Sequence, residues 1–211
     1  FLFLFITRLT ATKDAASKDC EYPYDKLILA TGSTPVGPQL PGMSLENVQF
    51  VKLYQNAAEV IEKLGDTSIK KVGVELAEAF QRNGREVTLI DCADTCLSAY
   101  YDDMFCKRME KQLSDHGIHL AFEEKVERLE GNEKVEKVVT DKHTYDADMV
   151  IFCVGFRPNT KLGNGQLKQF HNNGAYLTDL MQQTSRPDVY AVGDCATVYN
   201  NAIEDTDYIA L

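Results

Sequence analysis

Two aspartates sit just past the ends of short apolar runs, where a parallel strand opens into a ligand crevice. In Thr184-Ser185-Arg186-Pro187-Asp188-Val189-Tyr190-Ala191-Val192-Gly193-Asp194, turn residues lead into the run Val189 to Val192, then Gly193, then Asp194. A carboxylate delivered in this way can accept hydrogen bonds from the hydroxyls of a bound sugar or sugar alcohol. In Val87-Thr88-Leu89-Ile90-Asp91 the strand ends directly in the acid. A strand-ending acid after a helix that opens with glycine is the second half of a dinucleotide-binding unit. Asp91 would there bind the adenosine ribose hydroxyls and repel a 2′-phosphate, favouring NADH over NADPH. The plainer alternative for a strand-ending Asp is a turn or cap residue.

The other reactive side chains offer less. The six cysteines are Cys20, Cys92, Cys96, Cys106, Cys153 and Cys195, and no two are spaced C-x-x-C. None joins a histidine at zinc spacing, so no metal site is expected. In a chain of this size reduced cytosolic thiols are the default, and Cys153, inside an apolar run, reads as a small core residue. His116, His119, His143 and His171 are expected to face solvent or fill loops. No catalytic residue is assigned.

The elements that must carry these acids can be read from periodicity and turn chemistry. Lys26 to Ala30 is a short buried strand that runs into Thr31-Gly32-Ser33-Thr34-Pro35. The Pro/Gly-rich stretch from Pro35 to Gly42 reads as a connection between domains. A helix is expected from about Leu53 to Leu64, with Ala57, Val60, Ile61 and Leu64 on its apolar face. A second runs from Val74 to Arg82 and is stopped by Asn83-Gly84. A third runs from Asp102 or Asp103 to His116-Gly117. Strands are expected at 87–90, 118–122, 148–155 and near 175–177, with an antiparallel meander over 125–145. Alternating strands and helices indicate an α/β fold with a parallel sheet.

Bulk properties exclude some partners. The net charge of −10 argues against nucleic acid and against anionic membrane surfaces. The apolar run in the first ten residues, FLFLFITRLT, is too short to span a bilayer and lacks the basic lead of a signal peptide. It reads as a strand or as the edge of a cut segment, and the chain looks cut at both ends.

Four ordered motifs resemble the FAD-dependent pyridine nucleotide–disulfide oxidoreductases. They are Ala30-Thr31-Gly32-Ser33, Asp91, Val154-Gly155-Phe156-Arg157-Pro158-Asn159, and Thr184 to Asp194. Within that family, the stretch from Asp91 to Asp102 and Gly193-Asp194-Cys195-Ala196-Thr197 are similar to the water-forming NADH oxidases. NADH peroxidases and coenzyme A-disulfide reductases are near alternatives, and a non-catalytic fragment is another. A ligand-binding Rossmann regulator fits less well, because the Thr184 to Asp194 motif is flavin-type.

The resemblance implies a three-layer, Rossmann-like FAD/NAD(P)-binding architecture. One FAD-binding domain is split around an inserted NADH-binding domain. Residues 1–50 would close the first FAD segment, 51–159 would form the NADH domain, and 160–211 would begin the second FAD segment. By the same resemblance, Ala30, Thr31, Gly32, Asp194 and Leu211 serve FAD, and Asp91, Tyr100, Gly155 and Ala210 serve NADH. The substrates would be NADH and O2, the location cytoplasmic, and the full-length parent a homo-oligomer.

The departures from the family pattern are also legible. The family's N-terminal Gly-x-Gly-x-x-Gly, its redox cysteine beside the flavin and its C-terminal dimerisation domain have no counterpart in these 211 residues. In the NADH domain, Lys70-Lys71-Val72 runs almost directly into Gly73-Val74-Glu75-Leu76. The expectation is that about eight residues, comprising the first strand and its glycine loop, are missing there. A true deletion and an omission from the sequence as read both remain open. A lost central strand would leave Leu89 and Ile151 without a neighbour in the sheet.

Overall fold

A computed structural model describes residues 9–13, 19–52, 54–66, 71–73, 77–98, 100–163 and 165–209. Along the chain, β1 (Leu9–Lys13), β2 (Asp19–Pro23), β3 (Leu27–Leu29) and β4 (Ser33–Pro35) come first. They are followed by β5 (Val48–Phe50), α1 (Tyr54–Leu64), β6 (Lys71–Gly73), α2 (Ala77–Arg82) and β7 (Glu86–Ile90). Next are α3 (Asp103–Asp115), β8 (His119–Ala121), β9 (Val126–Glu130), β10 (Lys137–Thr140), β11 (Thr144–Asp146) and β12 (Met149–Phe152). Last come β13 (Phe156–Pro158), β14 (Val189–Ala191), β15 (Val198–Asn200) and β16 (Asp205–Asp207).

Two compact units result. Residues 37–154 form one, and residues 1–36 together with 155–211 form the other. The sequence placed these boundaries at 50/51 and 159/160. The first division falls inside the Pro/Gly-rich stretch, and the second falls at Gly155, whose φ of +96° lets the chain turn.

The inserted unit is built on a parallel five-stranded sheet of order β5-β12-β6-β7-β8. Helices α2 and α3 make the crossovers from β6 to β7 and from β7 to β8. Numbered from β6, the order reads 3-2-1-4 with β5 added at the edge, the doubly wound pattern of dinucleotide-binding sheets. The central slot, which the sequence was expected to leave vacant, is filled by the three residues Lys71-Val72-Gly73. Lys71 and Val72 align with Glu86 and Val87 on one side, and Val72 and Gly73 with Met149 and Val150 on the other. Leu89 and Ile151 keep partners on their outer edges, in Leu120 and Gln49. The sequence after Gly73, where a phosphate-binding loop belongs, is Val74-Glu75-Leu76, and it lies outside the described residues.

Strand alternation divides the core into two layers. Met149 and Ile151 join Val60, Phe80, Val87 and Ile118 on the helical face. Val150 and Phe152 point the other way, into a cluster with Leu129 and Val138 from the antiparallel sheet β11-β10-β9 and Val135 from the β9–β10 connection. A strand buried on both faces must be apolar throughout, and Met149-Val150-Ile151-Phe152 is. On α1, Val60 is buried and Ala57 and Leu64 are half-buried, but Ile61 is 69% exposed. Ile61 lies one residue, about 100°, around the helix from Val60, which carries it off the stripe.

The split unit is held by β14 pairing in parallel with β3, and by β13 pairing antiparallel with β4. Its core gathers Leu29, Leu167, Tyr176, Val189, Ala191, Cys195 and Ala196. The strand expected near 175–177 is instead a single residue, Tyr176, bridging Gln169 and Ala196. The first eight residues lie outside the described set.

Candidate functional site

The Asp194 site is assembled by the β3–β14 pair. Val189, Tyr190 and Ala191 align with Leu27, Ile28 and Leu29, so both strands open at the same end. The pairing continues past the strand, with the Val192 amide donating to the Leu29 carbonyl at 3.0 Å. Gly193 then takes φ +72°, a left-handed turn that a side chain resists, and starts a 3-10 turn over Gly193–Cys195. This turn lifts Asp194 out of the strand axis while Cys195, fully buried, anchors beneath it.

Two neighbours fix Asp194. The Ser33 hydroxyl, in a residue 8% exposed, donates to Oδ2 at 2.9 Å. The Tyr208 hydroxyl donates to the Asp194 main-chain carbonyl at 2.7 Å. Burial, reinforced by the negative charge of Asp194, pushes the Tyr208 phenol up to about 12. It therefore stays a donor at neutral pH.

The Thr31-Gly32 turn lies in the same unit and is clamped by Asn159. The Asn159 side chain donates to the Thr31 carbonyl at 2.9 Å and accepts from the Thr34 hydroxyl at 2.6 Å. The Asn159 amide donates to the Gly32 carbonyl at 2.9 Å, and the Thr31 hydroxyl donates to the Asn159 carbonyl at 2.6 Å. Four bonds on one asparagine make the turn rigid. Ala30 is exposed and Thr31 and Gly32 are half-buried, so this turn can meet a ligand. Leu211 and Ala210, the remaining predicted contacts to the two cofactors, lie outside the described residues.

In the inserted unit, Asp91 follows β7 at the carboxyl end of the sheet, beside the position where strand order reverses. It is half-buried, and its Oδ1 accepts from the Ala93 amide at 2.9 Å. The turn-residue alternative is therefore real, but it does not exclude ligand binding: the same bond aims the carboxylate. The Thr95 hydroxyl contacts Glu110 of α3, and Cys96 is buried under the loop. Burial pushes the Cys96 thiol up, with Glu110 adding to the effect. Tyr100 is 79% exposed in the turn before α3. Gly155, with open space where a Cβ would stand, belongs to the split unit by its contacts.

Sequence reasoning missed the parts of Ser33, Asn159 and Tyr208 in holding these loops. Asn159 and Ser33 lay inside quoted motifs, so their position was visible but their bonds were not. It also missed a buried Glu124 with His143 and Tyr145 around it; His143 is exposed, as expected, yet it bonds a carboxylate. Among the described residues no group of three His, Cys, Asp or Glu could hold a metal ion, and no helix is long and apolar enough to cross a membrane.

Residues 6–207 match the family model for pyridine nucleotide-disulphide oxidoreductases. The chain is 54% identical over 221 aligned positions to an NADH oxidase of Streptococcus pyogenes serotype M6, covering 96% of this chain and 48% of that protein. The aligned positions outnumber the 211 residues of the chain, so the relative carries residues with no counterpart here. Among solved structures, the water-forming NADH oxidase from Lactobacillus brevis bound to NADH is 33% identical, with a TM-score of 0.91 over all of this chain and 48% of that one. An engineered water-forming NADPH oxidase made from it, bound to NADPH, gives 33% identity and a TM-score of 0.92, again over all of this chain and 48% of that one. The chain spans about half the length of the curated relatives it matches. With its 3-2-1-4 sheet, its strand-end acids and this match along nearly its whole length, the chain belongs to the pyridine nucleotide-disulphide oxidoreductase family.

Proposed function

We propose that this chain is the cofactor-binding part of an FAD-dependent NADH oxidase that reduces O2 to water. The observation that carries the reading is the pair of strand-end carboxylates, each held in a fixed turn. Asp91 sits at the mouth of the dinucleotide-type sheet, and Asp194 at the mouth of β14 beside the Thr31-Gly32 turn. Two such acids in one chain suit two ribose-like polyols, one on each cofactor.

The residues present fit the polyol end of FAD. Asp194 would accept from the ribityl hydroxyls, with Ser33 and Tyr208 keeping its carboxylate and carbonyl in place. The Thr31-Gly32 turn, clamped by Asn159, would lie against the nucleotide. Gly-x-Gly-x-x-Gly does not occur in these 211 residues, so the pyrophosphate cradle is not part of what this chain supplies. Bound FAD would supply a two-electron acceptor that NADH can reduce and O2 can reoxidise.

For NADH, Asp91 would accept from the adenosine ribose hydroxyls, with Tyr100 over the nucleotide. A 2′-phosphate would meet the Asp91 charge. The engineered NADPH oxidase supports this logic: its five substitutions remove one aspartate and add two arginines. Homo-oligomerisation of the longer parent and a cytoplasmic location belong to the same reading, and the thiols of Cys92, Cys96, Cys106 and Cys195 suit a reducing compartment.

The test is aerobic NADH oxidation by the FAD-supplemented longer parent, and by these 211 residues alone, followed at an oxygen electrode with a peroxide assay. Two NADH consumed for each O2 and no peroxide is the result expected of the parent, which would carry the redox cysteine that these 211 residues lack. Turnover only with peroxide or a disulfide would favour a peroxidase or disulfide reductase. A colourless protein with no NADH consumption would favour a non-catalytic fragment.

A further inference from the structure

The Asp91 loop carries an anchor that ribose binding alone does not require. Three main-chain bonds tie it to the last residue of β8 and the segment that follows. The Asp91 amide donates to the Ala121 carbonyl at 3.0 Å, the Glu123 amide to Ala93 at 2.8 Å, and the Glu124 amide to Asp91 at 3.0 Å. The Glu124 side chain then reaches the β10–β11 hairpin. Its Oε2 accepts from the Thr140 hydroxyl at 2.6 Å. Its Oε1 accepts from the Tyr145 hydroxyl at 2.8 Å and lies 2.9 Å from His143 Nδ1.

This carboxylate is only 6% exposed. An unpartnered carboxylate there would be strongly unfavourable, and an apolar side chain of similar size would close the gap as well. Burial pushes the Glu124 carboxyl up, but the bonds from Thr140, Tyr145 and His143 outweigh it and hold the group below its usual range. The Tyr145 phenol is driven up to about 12, first by burial and then by Glu124, so it remains the donor. The two ends of one residue thus lock two different parts of the unit together. Since Asp91 Oδ1 is already tied to Ala93, the position of the ribose-facing carboxylate is set by where this loop is held.

We propose that Glu124 is a positioning residue for the dinucleotide: its amide holds the Asp91 carbonyl, its carboxylate is locked to the β10–β11 hairpin, and together they set where Asp91 meets the ribose. The proposal rests on the reading of Asp91 as the ribose acceptor. A buried charge gives direction here, because three donors from one hairpin define a single orientation for the segment that carries the loop.

The test compares the full 211-residue chain with Glu124→Gln, which keeps the shape but presents an amide donor to three donors. His143→Ala, at a largely exposed side chain, serves as a second variant with little risk to folding. Residue-resolved amide exchange and NADH titration are measured on each. Glu124→Gln should speed exchange at 91–95 and weaken NADH binding, each on the order of tenfold, with the amides of Val60 and Phe80 unchanged. His143→Ala should shift both in the same direction by a few-fold. Unchanged exchange at 91–95 overturns the proposal, as does loosening spread evenly over residues 37–154. A loosened loop with unaltered NADH affinity overturns it too. If the wild-type chain takes up no NADH, the ribose reading fails and the nucleotide role of Glu124 with it; the exchange arm still decides whether Glu124 holds the loop.

Discussion

Replacing Asp194 separates its structural bond from its ligand role. In Asp194→Ala the Ser33 hydroxyl, 2.9 Å from Oδ2, loses its acceptor inside a residue only 8% exposed. A hydrogen bond to a charged group is worth about 1.5–3 kcal/mol, and Asp194 itself is half-buried, so the lower end applies. The expected destabilisation of the split unit is therefore about 1–2 kcal/mol. The Tyr208 bond survives, because it goes to the main-chain carbonyl. Asp194→Asn keeps an oxygen for Ser33 and should cost less than about 1 kcal/mol. Both variants lose the anionic acceptor for a polyol, so both should weaken FAD binding, by about tenfold or more. The chain has no tryptophan, so stability is best read by amide exchange at Val189–Ala191 in a urea series, with flavin retention after dialysis as the second assay. If Asp194→Asn retained FAD as tightly as the wild type, the assignment of this carboxylate to a polyol would be refuted.

Further outcomes follow from the same geometry. Asn159→Ala removes two side-chain bonds from the Thr31-Gly32 turn and should destabilise the split unit by about 1–2 kcal/mol, read by urea unfolding with exchange at Leu27–Leu29. Asp91→Ala should lower NADH affinity by about tenfold while narrowing the gap to NADPH, measured by parallel titrations. Acid titration gives a signed test of Glu124. Its folded pKa is depressed, so its contribution is present above its ordinary value of 4.5 and is lost as pH falls through the folded value. Glu124→Gln should flatten the acid limb of the stability curve for residues 37–154; an unchanged limb would contradict the buried, ionised assignment.

The sequence made the two strand ends legible because each leaves a local mark: an apolar run followed by a carboxylate, with a glycine between them before Asp194. It made the meander over 125–145 legible through its turns. It did not reveal that Lys71-Val72-Gly73 fills the centre of the sheet. Three residues are too few for a periodic signal, and only their neighbours β7 and β12 make them a strand. Ile61 was misplaced because a four-residue spacing from Ala57 looks apolar on paper, while the stripe is centred on Val60. The bonds of Asn159 to Thr31 and of Glu124 to His143 span 128 and 19 residues, and no local pattern announces such contacts. For the same reason the strand-end position of Asp91 and Asp194 could be read from sequence, but the residues that hold them could not.

The most direct measurement is a titration of the isotopically labelled chain with NADH and, separately, NADPH, followed amide by amide. NADH should shift the resonances of Asp91, Cys92 and Ala93 first, and NADPH should need at least about tenfold more ligand for the same change. Equal response to the two dinucleotides, or shifts that leave Asp91 to Ala93 untouched, would contradict the assignment of this strand-end carboxylate to the NADH ribose.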